Sequence, residues 1–265
     1  MTSESLLQAV QEVARRAGGI ALRFFRTGLD VEAKSDGSPV TQADREAELE
    51  ARRWIEKRFP ADGILGEEGG LTRGDARRRW LIDPIDGTKS FVRGVPLYGT
   101  LIAVVEQEHV LAGCAFFPST DEIIAAAPGC GCWWNGTRAQ VSRIASMRAA
   151  TVLTTDDRFQ EDAVQRAAWD RLAAASSISR TWGDCYGYLL VACGRAEVMT
   201  DGVMNPWDAA ALMPIIEEAG GVFTDWNGRR TAFGGSVIAT NAALANEARA
   251  LLSPTRQTAS RMTNA

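Results

Sequence analysis

The sequence predicts an α/β and α+β layered sandwich, in which an α+β half is followed by an α/β half. Three patterns carry that expectation. Apolar residues recur at helical spacing over residues 6–25, and short apolar runs separated by turn residues follow one another over 97–134. From about residue 141, strand-like and helical segments alternate. Such alternation builds a sheet covered by helices, and two layered halves leave a cleft between them as the natural site. The expected division is 1–140 and 141–252, with 253–265 a polar, aperiodic and disordered tail.

In order along the chain, Leu6, Val10, Val13, Ala14, Ala17, Ala21 and Phe24 form the apolar stripe of a long first helix. Gly37 and Pro39 mark a turn. Thr41-Gln-Ala-Asp44 reads as a capping box that opens a second helix running through Arg58. Ile64-Leu65 is a short strand leading into Gly66-Glu67-Glu68-Gly69-Gly70. Arg77, Arg78 and Arg79 read as a solvated loop before a strand that starts at Trp80, and Pro84 and Gly87 are expected to end that strand at once. Residues 97–105 and 110–117 form a hairpin joined by 106–109. Runs at 123–127 and 132–134 extend it, with Asn135-Gly136 as a hairpin turn. In the second half, strands at 151–154, 177–181, 196–200, 222–224 and 237–239 alternate with helices at 162–175, 186–193, 207–219 and 242–252. Gly220-Gly221 stops the third of these helices.

Composition removes several function classes. With 265 residues, 46% hydrophobic and 23% charged, the chain is an ordinary globular one. No run of about eighteen apolar residues is present, so no membrane span is expected. The first residues, MTSESLLQAVQEVARRAGG, are unlike a secretory signal, which makes the cytoplasm the expected location. A net charge of −4 disfavours a general nucleic-acid binder. Five cysteines are an odd number, and the Cys130-x-Cys132 pair has no second ligand pair, so neither a disulfide framework nor a zinc site is expected. The single histidine, His109, falls in a hairpin turn, which leaves no catalytic triad and no multi-histidine centre. Hydrolysis, if any, falls to carboxylates and metal.

Residues 80–88 read WLIDPIDGT. Asp83 and Asp86 leave a strand together, and two carboxylates held that close repel unless a cation neutralises them. Oxygen-only ligands suit hard ions such as magnesium or manganese. Asp44, Glu67 and Asp208 also stand just outside predicted elements. Each has a plainer role available: Asp44 as the capping-box acid, Glu67 as a solvated turn residue, Asp208 as an acid favoured at a helix N-terminus.

Taken together, WLIDPIDGT at 80–88, WDAAALMPIIEEAGG at 207–221, GEE at 66–68 and SPVTQAD at 38–44 resemble the inositol monophosphatase family of metal-dependent, lithium-sensitive phosphatases. The likeness extends over almost the whole chain to about Leu252. It implies an αβαβα sandwich of the inositol monophosphatase/fructose-1,6-bisphosphatase type, a small phosphorylated substrate and a homodimer, while charge and composition give the expectation of no nucleic-acid and no membrane partner. It also implies two or three Mg2+ ions, with Mn2+ as a substitute, ligated by Glu67, Asp83, Asp86, Asp208 and the carbonyl of Ile85. Thr88 and Asp44, with Glu67, would orient and help deprotonate the attacking water. The backbone N–H groups of Gly87 and Thr88 would hold the phosphate at a helix start.

The segment at 180–211, with DGTKSF at 86–91 and GVPLYGTLIAV at 94–104, is similar to the histidinol-phosphate phosphatase branch of that family. Asp184 stands where inositol phosphatases carry small uncharged residues. A carboxylate beside the leaving group suits a substrate ammonium; its plainer role is to cap the helix expected at 186. Asp201 is expected at substrate hydroxyls, with Asn205 a third contact. Inositol 1-phosphate and, through Lys89, a 3′(2′),5′-bisphosphate nucleotide are alternative esters. A non-enzymatic alternative is an RNA or transcription-complex partner, against which the intact acid set and the negative charge both weigh.

Overall fold

A computed structural model describes residues 2–34 and 37–253; the tail expected to be disordered lies, after Ser253, outside the described residues. Thr2 caps α1 (Ser3–Phe24), its hydroxyl accepting from the Ser5 N–H at 3.2 Å. A small antiparallel pair, β1 (Val31–Ala33) and β2 (Pro39–Thr41), flanks the turn expected at Gly37 and Pro39. α2 (Gln42–Arg58) opens with the expected capping box, the Thr41 N–H donating to Asp44 Oδ2 at 2.8 Å. Then come β3 (Gly63–Gly66), β4 (Gly70–Thr72), β5 (Arg78–Asp86), the short α3 (Thr88–Val92), β6 (Gly99–Glu106), β7 (His109–Phe117), β8 (Glu122–Ala127), β9 (Gly131–Trp134) and β10 (Thr137–Arg138). These later strands form an eight-stranded sheet in the order β10-β9-β8-β7-β6-β5-β3-β4, antiparallel except where β3 runs alongside β5.

The second half contributes β11 (Thr151–Leu153), α4 (Ala163–Ala175), β12 (Ile178–Arg180), α5 (Asp184–Ala192), β13 (Val198–Asp201), α6 (Pro206–Glu218), β14 (Val222–Thr224), β15 (Val237–Thr240) and α7 (Ala245–Leu252). Its sheet has the order β12-β11-β13-β15-β14. The first three strands are parallel and the last two antiparallel to their neighbours.

Successive strand residues face opposite ways, and both faces of each sheet are covered. Ile82, Ile102, Val104 and Cys114 pack with α1 and α2, whereas Leu81, Leu101, Ala103 and Ala115 pack with α5 and α6. In the second sheet, Leu153, Met199 and Ala239 turn to the central helices, and Val152, Val198 and Ile238 to α4 and α7. Helix, sheet, helix, sheet, helix is the outcome, as expected. Coverage on both sides explains why these strands are nearly continuous apolar runs. No helix among the described residues is long and apolar enough to cross a membrane.

Two expectations about β5 are corrected. Arg78 and Arg79 are its first residues, not a solvated loop. Buried Asp62 draws Arg78 in, accepting from Arg78 Nε at 2.7 Å and from Trp80 Nε1 at 2.9 Å. The strand also does not stop at Pro84. The ladder to β6 shifts register between Asp83 and Asp86, so the N–H that proline lacks falls where pairing is already irregular. The Thr100 hydroxyl donates to the Pro84 carbonyl at 2.8 Å and holds the irregular end in place.

α6 is pressed against the first sheet by small residues. A Cβ on Gly113 of β7 would lie 2.2 Å from the Ala211 carbonyl oxygen, so only glycine admits the helix at this distance. Gly113→Ala must push α6 outward or strain β7. We expect a loss of about 1–3 kcal/mol in urea unfolding, the usual cost of overpacking; an unchanged midpoint would contradict this packing.

Candidate active site

The irregular end of β5 carries the site. Asp83 is buried and its Oδ1 accepts from the Ile85 N–H at 3.0 Å, which ties its carboxylate to the irregular end of the strand. Gly87 follows in the left-handed region at φ 87°, where glycine carries no penalty. The Thr88 hydroxyl then lies 2.9 Å from the Ile85 carbonyl and 3.4 Å from Asp44 Oδ1. Asp44 therefore caps α2, as read from the sequence, and also reaches Thr88. Its Oδ2 caps α2 through the N–H and hydroxyl of Thr41, at 2.8 and 2.6 Å, while its Oδ1 faces Thr88.

Four acids meet around this turn. Glu67, Asp86 and Asp208 all lie within electrostatic reach of Asp83. Burial first, then these like charges, hold the Asp83 carboxyl well above the usual range. Burial also raises Asp86 well above it, with Asp184 and Asp208 adding to the effect. Each acid has found a local partner. Asp86 Oδ2 accepts the Cys185 N–H, and Asp208 Oδ2 accepts the Asn205 N–H at 2.9 Å in a second capping box. Glu67 and Glu68 share the ammonium of Lys34, 2.6 Å from each. Consequently the acids do not close on one point: among the described residues, no three acids, cysteines or histidines form a ready-made metal cage. The donor set is nonetheless all oxygen, crowded and short of positive charge, which is the chemistry that suits a hard divalent cation. Glu67, Asp83, Asp86, Asp208 and the Ile85 carbonyl are the groups that could hold one.

A cleft of about 190 Å³ opens beside Asp86 and Asp208, lined also by Lys89, Thr155, Asp184 and Asp201. Asp184 does not cap α5. Gly183 stands at the cap, and Asp184 is the first helical residue, at φ 50°. That left-handed start is secured by the Thr155 hydroxyl, which accepts the Asp184 N–H at 2.8 Å. The Thr155 N–H in turn donates to Asp201 Oδ1 at 2.9 Å, and the Tyr188 hydroxyl donates to Asp201 Oδ2 at 2.8 Å. Asn205 is exposed and bound to Asp208, outside the described lining of the cleft. Lys34, Thr155 and Tyr188 were not singled out from the sequence. No motif marks them; each is found only through the acid it touches.

Asp184 and Asp208 are both lifted from 3.8 to about 7. Burial is the main cause for each, reinforced by Asp201 for the first and by Glu67 for the second. The folded, metal-free protein thus holds these protons more tightly than the unfolded chain. The stability they contribute is fully present below about pH 4 and is lost as pH rises through about 7. In chelator, Tm should fall as pH is raised from about 5 to about 8. Magnesium, which favours the ionised acids, should remove most of that fall. A flat Tm in chelator would contradict this electrostatic picture.

The chain matches the inositol monophosphatase family over residues 2–260. It is 45% identical to a histidinol-phosphatase of Chlorobaculum parvum, covering 89% of this chain and 92% of that protein. It is 33% identical to a histidinol-phosphatase of Mycobacterium tuberculosis, covering 93% and 97%. Its fold superposes on an inositol monophosphatase of Zymomonas mobilis with a TM-score of 0.86, at 32% identity over 95% of this chain and 99% of that one. The chain belongs to the inositol monophosphatase family and is a metal-dependent phosphatase.

Proposed function

We propose that this phosphatase hydrolyses an ester whose leaving group carries an ammonium close to the phosphate, with L-histidinol phosphate the best fit. The observation that carries this is the position of Asp184. A Cβ on Gly87 would lie 3.0 Å from Asp184 Oδ2, so this carboxylate abuts the turn proposed to cradle the phosphate. In histidinol phosphate the ammonium sits on the carbon next to the ester carbon, which is the span such an arrangement accepts. A neutral polyol would offer a partly buried carboxylate there only hydroxyl donors and no opposite charge. The two relatives named as histidinol-phosphatases support the same ester. Lys89, which lowers the Asp184 pKa against burial, would also suit a second phosphate, as in a bisphosphate nucleotide.

In this reading Glu67, Asp83, Asp86, Asp208 and the Ile85 carbonyl bind magnesium, and the N–H groups of Gly87 and Thr88 orient the phosphate. Bound magnesium supplies charge neutralisation of the ester and a water of lowered pKa. Thr88 can take a proton from the attacking water as its own passes to Asp44. Burial raises the Asp44 carboxyl above its usual range, which makes it the better proton acceptor. Asp201, tied to Thr155 and Tyr188, holds the floor of the leaving-group pocket.

Two outcomes are expected. Asp83→Asn and Asp86→Asn should each lower magnesium-supported phosphate release by orders of magnitude while circular dichroism stays native; near-full activity in either would remove the metal assignment. Asp184→Asn should lower kcat/KM for histidinol phosphate about ten- to hundredfold, the worth of a charge-assisted hydrogen bond, and leave glycerol 2-phosphate little changed. Equal losses on both esters would return specificity to other residues of the cleft.

A further inference from the structure

α2 carries a second buried acid one turn after Asp44. Glu48 is 2% exposed and has no place in the catalytic roles above. Its carboxylate accepts three hydrogen bonds, two of them from the loop that follows Glu67. Oε2 takes the Glu68 N–H at 2.8 Å, Oε1 takes the Gly69 N–H at 2.8 Å, and Oε1 also takes Arg52 Nε at 2.6 Å. Arg52 reaches on to the Gly70 carbonyl at 2.6 Å, so the acid and its partner grip both ends of the turn. On the other side, the Glu67 N–H is fixed to the Ile82 carbonyl of β5 at 3.1 Å. Two glycines make room for the grip: a Cβ on Gly66 or Gly69 would lie 2.3 or 2.7 Å from Glu48 Oε1.

We infer that Glu48 is a positioning residue for the metal site, holding the 66–70 turn so that the Glu67 carboxylate faces Asp83. The inference rests on the reading of Glu67 as a metal ligand. Asp44 and Glu48, four residues apart, lie on one helical face. One face of α2 therefore steadies both sides of the reaction centre, Thr88 through Asp44 and Glu67 through Glu48. The geometry accounts for a costly feature, a buried carboxylate far from solvent that no catalytic step consumes. Its two oxygens point at two N–H groups of one turn, which a neutral amide cannot satisfy because one of its ends is itself a donor.

The test is direct binding of Mn2+ alone, followed by electron paramagnetic resonance of the free ion, with Tm measured in chelator for every variant. Outer partners of metal ligands set affinity over about ten- to hundredfold. Glu48→Gln should raise the Mn2+ Kd by that factor, while kcat at saturating Mn2+ stays within a few-fold. Arg52→Met should shift Kd in the same direction by less, and it carries the test should Glu48→Gln fail to fold. Glu67→Gln serves as the reference. If Glu67→Gln weakens Mn2+ binding but Glu48→Gln and Arg52→Met leave it at the wild-type value, even with a lower Tm, the role of Glu48 is structural only and the inference falls. If Glu67→Gln itself binds as wild type, Glu67 is no ligand and the inference falls with that reading.

Discussion

Mutual repulsion among carboxylates at the end of β5 is the constraint on which the rest of the site depends. Asp83 is buried, and Glu67, Asp86 and Asp208 add like charge around it. A charge removed from water without an opposite charge is strongly unfavourable. The fold answers locally, through the ammonium of Lys34, the N–H of Cys185 and the N–H of Asn205. These partners stabilise the acids only in part, as the raised pKa values of Asp86 and Asp208 show. In the proposed reading, a divalent cation would complete what the chain leaves incomplete. On that reading, residual stability would be traded for metal binding, a familiar relation between function and marginal stability.

The geometry that permits this crowding comes from close backbone approach. Gly113 lets α6 lie on the first sheet and so delivers Asp208 to the end of β5. Gly183 packs against Thr155, with only 2.3 Å between a Cβ there and the Thr155 Cα, and this brings the start of α5 up to Asp86. Neither glycine contacts a reacting group. Gly113 sets how closely α6 approaches the first sheet, and Gly183 sets where α5 starts against the end of β11.

Much of this was legible in the sequence, for physical reasons. The capping box at Thr41 and the Asn135-Gly136 turn are local, with the latter at φ 46° and 77° as a tight hairpin requires. The layer order followed from apolar runs, and the acids followed from their place at the ends of elements. The misreadings at β5 were of long-range origin. Asp62, far from Arg78 in sequence, turns an exposed-looking arginine run into a strand, and a register shift accommodates Pro84. Lys34, Thr155 and Glu48 were not singled out for the same reason: each matters through a partner more than 15 residues away. Asp184 was found by its unusual charge, whereas its left-handed backbone and its contact with the Gly87 turn needed the structure.

That carboxylates gathered by β3, β5 and α6 exist to share divalent cations is the claim on which everything else rests. Crystals grown with Mn2+ and phosphate, measured at the manganese edge, test it most directly. Anomalous peaks are expected within coordination distance of Asp83 and Asp86, with Glu67 turned from Lys34 toward the metal and Asp208 toward a second ion. Well-diffracting crystals with no anomalous peak at these acids, and with Glu67 still held by Lys34 at saturating Mn2+, would contradict it.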